Sequence, residues 1–195
     1  AAVFSNDEAP MFDGIERVRV VFVDGVLDAD QSDDLTLVGA SIETLEDVTA
    51  ADIHWAKDLY GQLEANGQNP VQRPLAALNT AVADQGLVIH VTAKCEKPLA
   101  IRYVHSNENS DAVVHHVIKI DEGAEFTLLE SGAGAARFNS VSEVDVADTA
   151  QFHHVRTQGR DHERKAVTHM FGRLGRESIL RSFTMTVNGV LTRND

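Results

Sequence analysis

The sequence predicts a mainly β chain whose short strands stack as the rungs of a solenoid, preceded by a small α/β amino-terminal region. Three observations carry this. From Gly86 onward, eight short segments rich in β-branched and aromatic residues follow one another, separated by turn residues and by no helical stretch. Side chains also recur: "EGAEFTLLE" from Glu122 resembles "DTAQFHHVR" from Asp148, so that Ala124, Phe126 and Leu128 fall against Ala150, Phe152 and His154 at a displacement of 26 residues. Tight hairpin dipeptides are scarce in this region, with Asn188-Gly189 the one instance. The pattern leaves two architectures open, a sandwich with regular hairpins and a solenoid. Near-repetition at a fixed period favours the solenoid, in which equivalent positions lie above one another.

Taken in order, the elements are these. "RVRVVFVDGVL" alternates as a strand through Val23, turns at Asp24-Gly25 and resumes at Val26. "DDLTLVGAS" gives a further short strand. "SIETLEDVTAADIHWAKDLYGQL" reads as helix, capped at Ser41 or Thr49, with Ile53, Ala56, Leu59, Tyr60 and Leu63 on one face. Gly67, Pro70 and Pro74 break that pattern, and "PLAALNTAVADQG" makes a short helix from Pro74 that stops by Gly86. The strands then follow as "GLVIHVTA", "KPLAIRYVHS", "AVVHHVIKI", "AEFTLLES", "FNSVSEVDVA", "AQFHHVRTQ", "KAVTHMFGRLG" and "SILRSFTMTV". The division expected is an amino-terminal region over 1–73 and a helix-led core over 74–195.

Composition narrows the function classes. The 195 residues carry a net charge of -13, with 14 acids against 3 bases in residues 1–60 and 4 acids against 8 bases in residues 151–195. Such asymmetry reads as two surfaces with different tasks. Aromatics are 6% of the chain and do not interleave with the basic residues, which argues against a nucleic-acid platform. No apolar run reaches the length of a membrane span. "AAVFSNDEAPMFDG" lacks a basic segment followed by an apolar one, so no signal peptide is expected. A single cysteine, Cys95, excludes an internal disulfide and fits a reducing, cytoplasmic setting.

"QFHHVRTQGRDHERKAVTH", Gln151 to His169, holds four of the nine histidines and raises the question of a metal. If Phe126 and Phe152 point inward, so do Leu128 and His154, while His153 and Val155 face outward. Neighbouring histidines in a strand, His115-His116 and His153-His154, put their rings on opposite faces, so neither pair can chelate one ion. A site would need histidines of two rungs to meet and would still lack ligands. Cys95 lies between Lys94 and Glu96 with no cysteine partner, and no HExxH or CxxC spacing occurs. The expectation is therefore solvated strand histidines, with one inward histidine held by a hydrogen bond. Phe152 and His154 lie inside, His153 and Arg156 are set by the turn geometry, and "GRDHERK" is the turn between rungs. "HSNENSD" sets Ser106 beside His105 without a nucleophile elbow, and "ESGAGAARFNS" lacks the Lys-Ser/Thr of a phosphate loop. No catalytic, cofactor or metal residue is assigned, and no enzyme activity is expected.

"PLAALNTAVADQGLVIHVTAKCEKPLAIRYV", "VIKIDEGAEFTLLES", "NSVSEVDVADTAQFHHVRTQ" and "RESILRSFTMTVNGVLTRND" occur here in an order that resembles the SUF iron–sulfur cluster assembly proteins of the SufB/SufD family, the SufD member more than SufB. The likeness covers residues 74–195. It implies a right-handed parallel β-helix and a scaffold subunit that pairs with a SufB-like paralogue and docks a SufC-like ATPase. It also implies further rungs and a helical carboxy-terminal region beyond "RND", where the family's cluster-related residues and SufC-docking helices lie, so no family residue is carried onto this chain. Cys95 stays a free thiol. A last rung with open edges is expected to pair with a second copy through its end or an outer strand. The alternative is a β-helical binding module, for example for carbohydrate, which an exposed row of aromatics would favour.

Overall fold

The computed structural model describes residues 11–51, 54–158, 164–187 and 189–195. The amino-terminal part opens with β1 (Val18–Val23) and β2 (Val26–Leu27), joined by Asp24 and Gly25, both in the left-handed region at φ 48° and 88°. This is the two-residue hairpin that Asp-Gly predicts. Gly25 is required twice over, because a Cβ there would sit 2.5 Å from Cβ of Ala112. β3 (Thr36–Leu37) and β4 (Ala40–Thr44) form a second antiparallel pair.

The long helix expected from Ser41 is three short pieces. Residues 41–44 are strand, because β4 pairs in register with a later strand, Ile42 against Ile89. Tertiary pairing here overrides a helical pattern. Helix α1 (Leu45–Ala50) begins at Thr44, whose hydroxyl accepts the Asp47 N–H at 3.1 Å, so neither Ser41 nor Thr49 is the cap. A 3-10 turn covers Trp55–Asp58, and α2 (Gln62–Gly67) starts only after Gly61 has taken φ 74°. Ala56, Leu59 and Leu63 are nevertheless buried together; Ile53 lies outside the described residues. Helix α3 (Pro74–Val82) starts at Pro74 as expected.

The core is a β-solenoid of about four turns. Its strands are β5 (Leu87–Val91), β6 (Leu99–Val104), β7 (Asp111–Ile120), β8 (Glu125–Gly132), β9 (Arg137–Val146), β10 (Gln151–Gln158), β11 (Lys165–Leu174), β12 (Ile179–Thr186) and β13 (Leu191–Asn194). All eight expected strands are present; β13 is an addition, which the strand pattern alone does not single out. Successive strands go alternately to two sheets. The first is ordered β12-β10-β8-β6-β1-β2 and the second β13-β11-β9-β7-β5-β4-β3. Every rung-to-rung pairing is parallel, which excludes the hairpin-built sandwich.

Register explains the repeat. Phe152 lies directly against Phe126, the 26-residue step, and their rings stack at 6.0 Å and 13°. Leu180 then lies against Phe152, a step of 28, so a constant frame drifts out of phase in the last rung. Both phenylalanines are fully buried, and each contributes roughly 1.5–3 kcal/mol by burial.

The amino-terminal strands join these sheets, β1 extending the first and β4 the second. The helices cover the outer face of the second sheet. There Leu45, Val48, Leu59, Leu63 and Ala76 close on Val88, Val117, Val141 and Phe171 to form a second apolar cluster outside the solenoid. No helix among the described residues is long and apolar enough to cross a membrane.

Candidate functional site

The chemistry-bearing side chains gather inside the solenoid, between the two sheets. In β8 the inward series Phe126, Leu128 continues to Glu130, and in β10 the series Phe152, His154 continues to Arg156. β6 contributes Tyr103 and β7 contributes His116. All five are buried, Glu130 and His116 with no exposed surface at all.

Their hydrogen bonds run in one direction. The Leu87 backbone N–H donates to Nδ1 of His116 at 3.1 Å, so the proton of this neutral ring sits on Nε2 and points to the Tyr103 hydroxyl, 2.8 Å away. Tyr103 donates in turn to Oε1 of Glu130 at 2.7 Å. The other carboxylate oxygen, Oε2, meets Nε2 of His154 at 2.6 Å and the Arg156 guanidinium at 3.5 Å. Nδ1 of His154 lies 2.9 Å from the Ser182 hydroxyl of β12. Arg156 also stacks between Tyr103 and Phe138, 5.7 and 5.5 Å from their centroids.

Burial and charge set the protonation states. Burial pushes His116 down to about 4, against the opposing pull of Glu130. Burial alone would raise Glu130, yet Arg156 and the two histidines outweigh it and hold the carboxyl far below the usual range. Burial and the Glu130 charge push Tyr103 well above the ordinary phenol value. At neutral pH the set is thus a carboxylate balanced by a guanidinium, with a neutral His116 and a phenol donating to Glu130.

The expectation of solvated strand histidines is corrected by this geometry. His115, His116, His154 and His169 are all buried, and His90 and His153 are partly exposed. His116 and His154 are buried because their strand faces turn inward. His115 and His169 point outward but lie under the helical layer, which the strand pattern alone does not reveal. The rings of His115 and His116 do face opposite sides of β7, as alternation requires. Arg156 is inward by the same alternation as His154. His116 and His154 converge on one carboxylate, Glu130, which was not singled out from sequence; its place in the alternation Phe126, Leu128, Glu130 was the available signal. Among the described residues no group of three or more His, Cys, Asp and Glu side chains is disposed to hold a metal ion. Cys95 is a buried free thiol raised by that burial, its backbone N–H bonded to the Glu125 carbonyl at 2.9 Å. His105 is buried and its Nε2 lies 2.8 Å from the Asn107 carbonyl oxygen, while the Ser106 hydroxyl binds Asp24, so those two form no nucleophile pair. Residues 159–163, within the predicted turn "GRDHERK", lie outside the described residues.

Fold and site together define a β-solenoid with a closed acid–base network in its interior. Residues 103–195, a little under half of the chain, match the family model described as SUF system FeS cluster assembly, SufBD core domain. The likeness is to the core domain of the SufB/SufD family, over that part of the chain. It begins at Tyr103 and so contains Tyr103, His116, Glu130, His154 and Arg156; α3 and the first rung precede it. No curated protein matches the chain.

Proposed function

We propose that this chain is a SufD-like scaffold subunit of iron–sulfur cluster assembly, not itself an enzyme, acting in the cytoplasm with a SufB-like paralogue and a SufC-like ATPase. The observation that carries the reading is the family match over the rungs β7–β13. One feature supports a scaffold role. The titratable groups of the interior are engaged with one another instead of facing an open cleft.

Carbohydrate binding has less support. Phe183 is the one exposed aromatic side chain among the described residues, so no row of rings lies along a rung face. The test is a pull-down against SufB-like and SufC-like proteins of the same source, with iron and sulfide measured on the purified chain. Capture by the SufB-like protein without stoichiometric metal on the chain alone is the expected result. Failure to bind either protein, or a full equivalent of metal on the isolated chain, would overturn the reading.

A further inference from the structure

A second buried polar array lies on the opposite side of β7 from the interior network, between the second sheet and the helices. Asn79 of α3 has no exposed surface, and its amide nitrogen donates to the carbonyls of Val114 at 3.1 Å and Asn139 at 3.0 Å. Those two acceptors fix the orientation of the amide, so its Oδ1 is the atom 3.0 Å from Nδ1 of His115. An amide oxygen can only accept, and Nδ1 of His115 therefore carries a proton.

The other ring nitrogen, Nε2, faces Oε2 of Glu143 at 3.0 Å, and both side chains are fully buried. Oε2 also accepts the Gly61 N–H at 2.6 Å, and Oε1 accepts the Glu64 N–H at 2.8 Å. These two amides open α2, whose N-cap residue Gly61 has no side chain to cap it. With Nδ1 already protonated, Nε2 and Oε2 can bond only through a further proton between them. Two amide donors on the carboxylate favour its ionised form, which leaves that proton on the ring. Tyr60 packs against the ring at 4.3 Å between centroids, tilted by 32°, its hydroxyl donating to the Thr80 carbonyl, and Glu64 of α2 is a further buried acid nearby.

We propose that His115 is held inside the protein as an imidazolium and that its ion pair with Glu143 is the latch that seats the helical layer on the second sheet. Glu143 supplies the cap that Gly61 lacks, and the buried carboxylate is tolerated because His115 neutralises it. Adjacent histidines of one strand thus hold opposite states, His115 charged and His116 neutral, each set by its own partners.

Nitrogen-15 NMR of the imidazole rings in the wild-type chain at pH 7 tests the first half, with His116→Gln used to assign the signals. Two protonated nitrogens on His115 and one unprotonated nitrogen on His116 are expected; an unprotonated nitrogen on His115 overturns the proposal. Hydrogen exchange tests the latch. His115→Gln and Glu143→Gln should each speed exchange across residues 61–82 on the order of a hundredfold while β8 and β10 keep their protection. The double variant, which removes both charges, should return to within about tenfold of wild type. No acceleration in the single variants, equal acceleration throughout the chain, or a double variant as fast as the singles would each refute the latch.

Discussion

Acidification should destabilise this fold through His116, and the size of the effect follows from its burial. The ring has no exposed surface, accepts the Leu87 N–H on Nδ1 and is pushed from an ordinary 6.5 to about 4. Protonating it in the folded state would break the Leu87 bond and add a cation beside Arg156. The unfolded chain binds this proton as pH falls through 6.5, and the folded chain does not until about 4. The unfolded state therefore carries more protons throughout this window, and stability falls with falling pH. The contribution is fully present above 6.5, declines between 6.5 and 4 and is lost below. At 1.36 kcal/mol for each unit, the total is about 3 kcal/mol, and about 2 kcal/mol of it is gone by pH 5. The assay is urea denaturation from pH 7.5 to 4, followed by circular dichroism, on wild type and His116→Gln. Glutamine can accept from Leu87 and donate to Tyr103 without titrating. Burial also lowers His169, which adds to the same acid loss in both proteins, so the difference between them isolates His116. Parallel profiles would refute the reasoning.

Glu130→Gln should cost roughly 3–5 kcal/mol at neutral pH, because Arg156 is left as a buried charge without its counter-ion; thermal denaturation reads it, and a loss below 1 kcal/mol would contradict the buried pair. Gly132→Ala should lower the yield of folded protein sharply, since φ is 102° and a Cβ would lie 1.9 Å from the Tyr103 carbonyl oxygen; a wild-type melting profile would show that the close approach is not real. Cys95 should react with a thiol reagent at least tenfold more slowly in the native protein than in denaturant, as burial both shields the sulfur and raises its pKa.

The legible part of this structure is the part governed by local rules. Asp24-Gly25 gives its hairpin, Pro74 starts its helix, and alternation in β10 places Phe152 and His154 inside. The illegible part depends on contacts across long separations. His115 looks like a surface strand residue until the helical layer is laid over β7; Gly61 and Glu143, which fasten that layer, stand 82 residues apart. Residues 41–44 carry a helical pattern and are strand because β5 offers them a partner.

The fading of the repeat has a physical reason as well. Parallel backbone pairing fixes the register whatever the side chains are, so the inward columns can change character from one rung to the next. Ile101 is followed by Glu130, Arg156 and Thr184; Leu99 by Leu128, His154 and Ser182; Val114 by Ser140, Thr168 and Asn194. Each column starts apolar and ends polar, which erases the sequence likeness while preserving the geometry. Buried polar groups need partners, and stacking supplies several of them from the rung above or below, though the buried Ser140 hydroxyl has none. Glu130 meets Arg156, His154 meets Ser182, Thr168 meets Asn194 and Gln158 meets Thr186, each with its register neighbour. Polar substitutions in such a solenoid are therefore constrained in vertical pairs, and a recurring partnership one rung apart marks the repeat where residue identity no longer does.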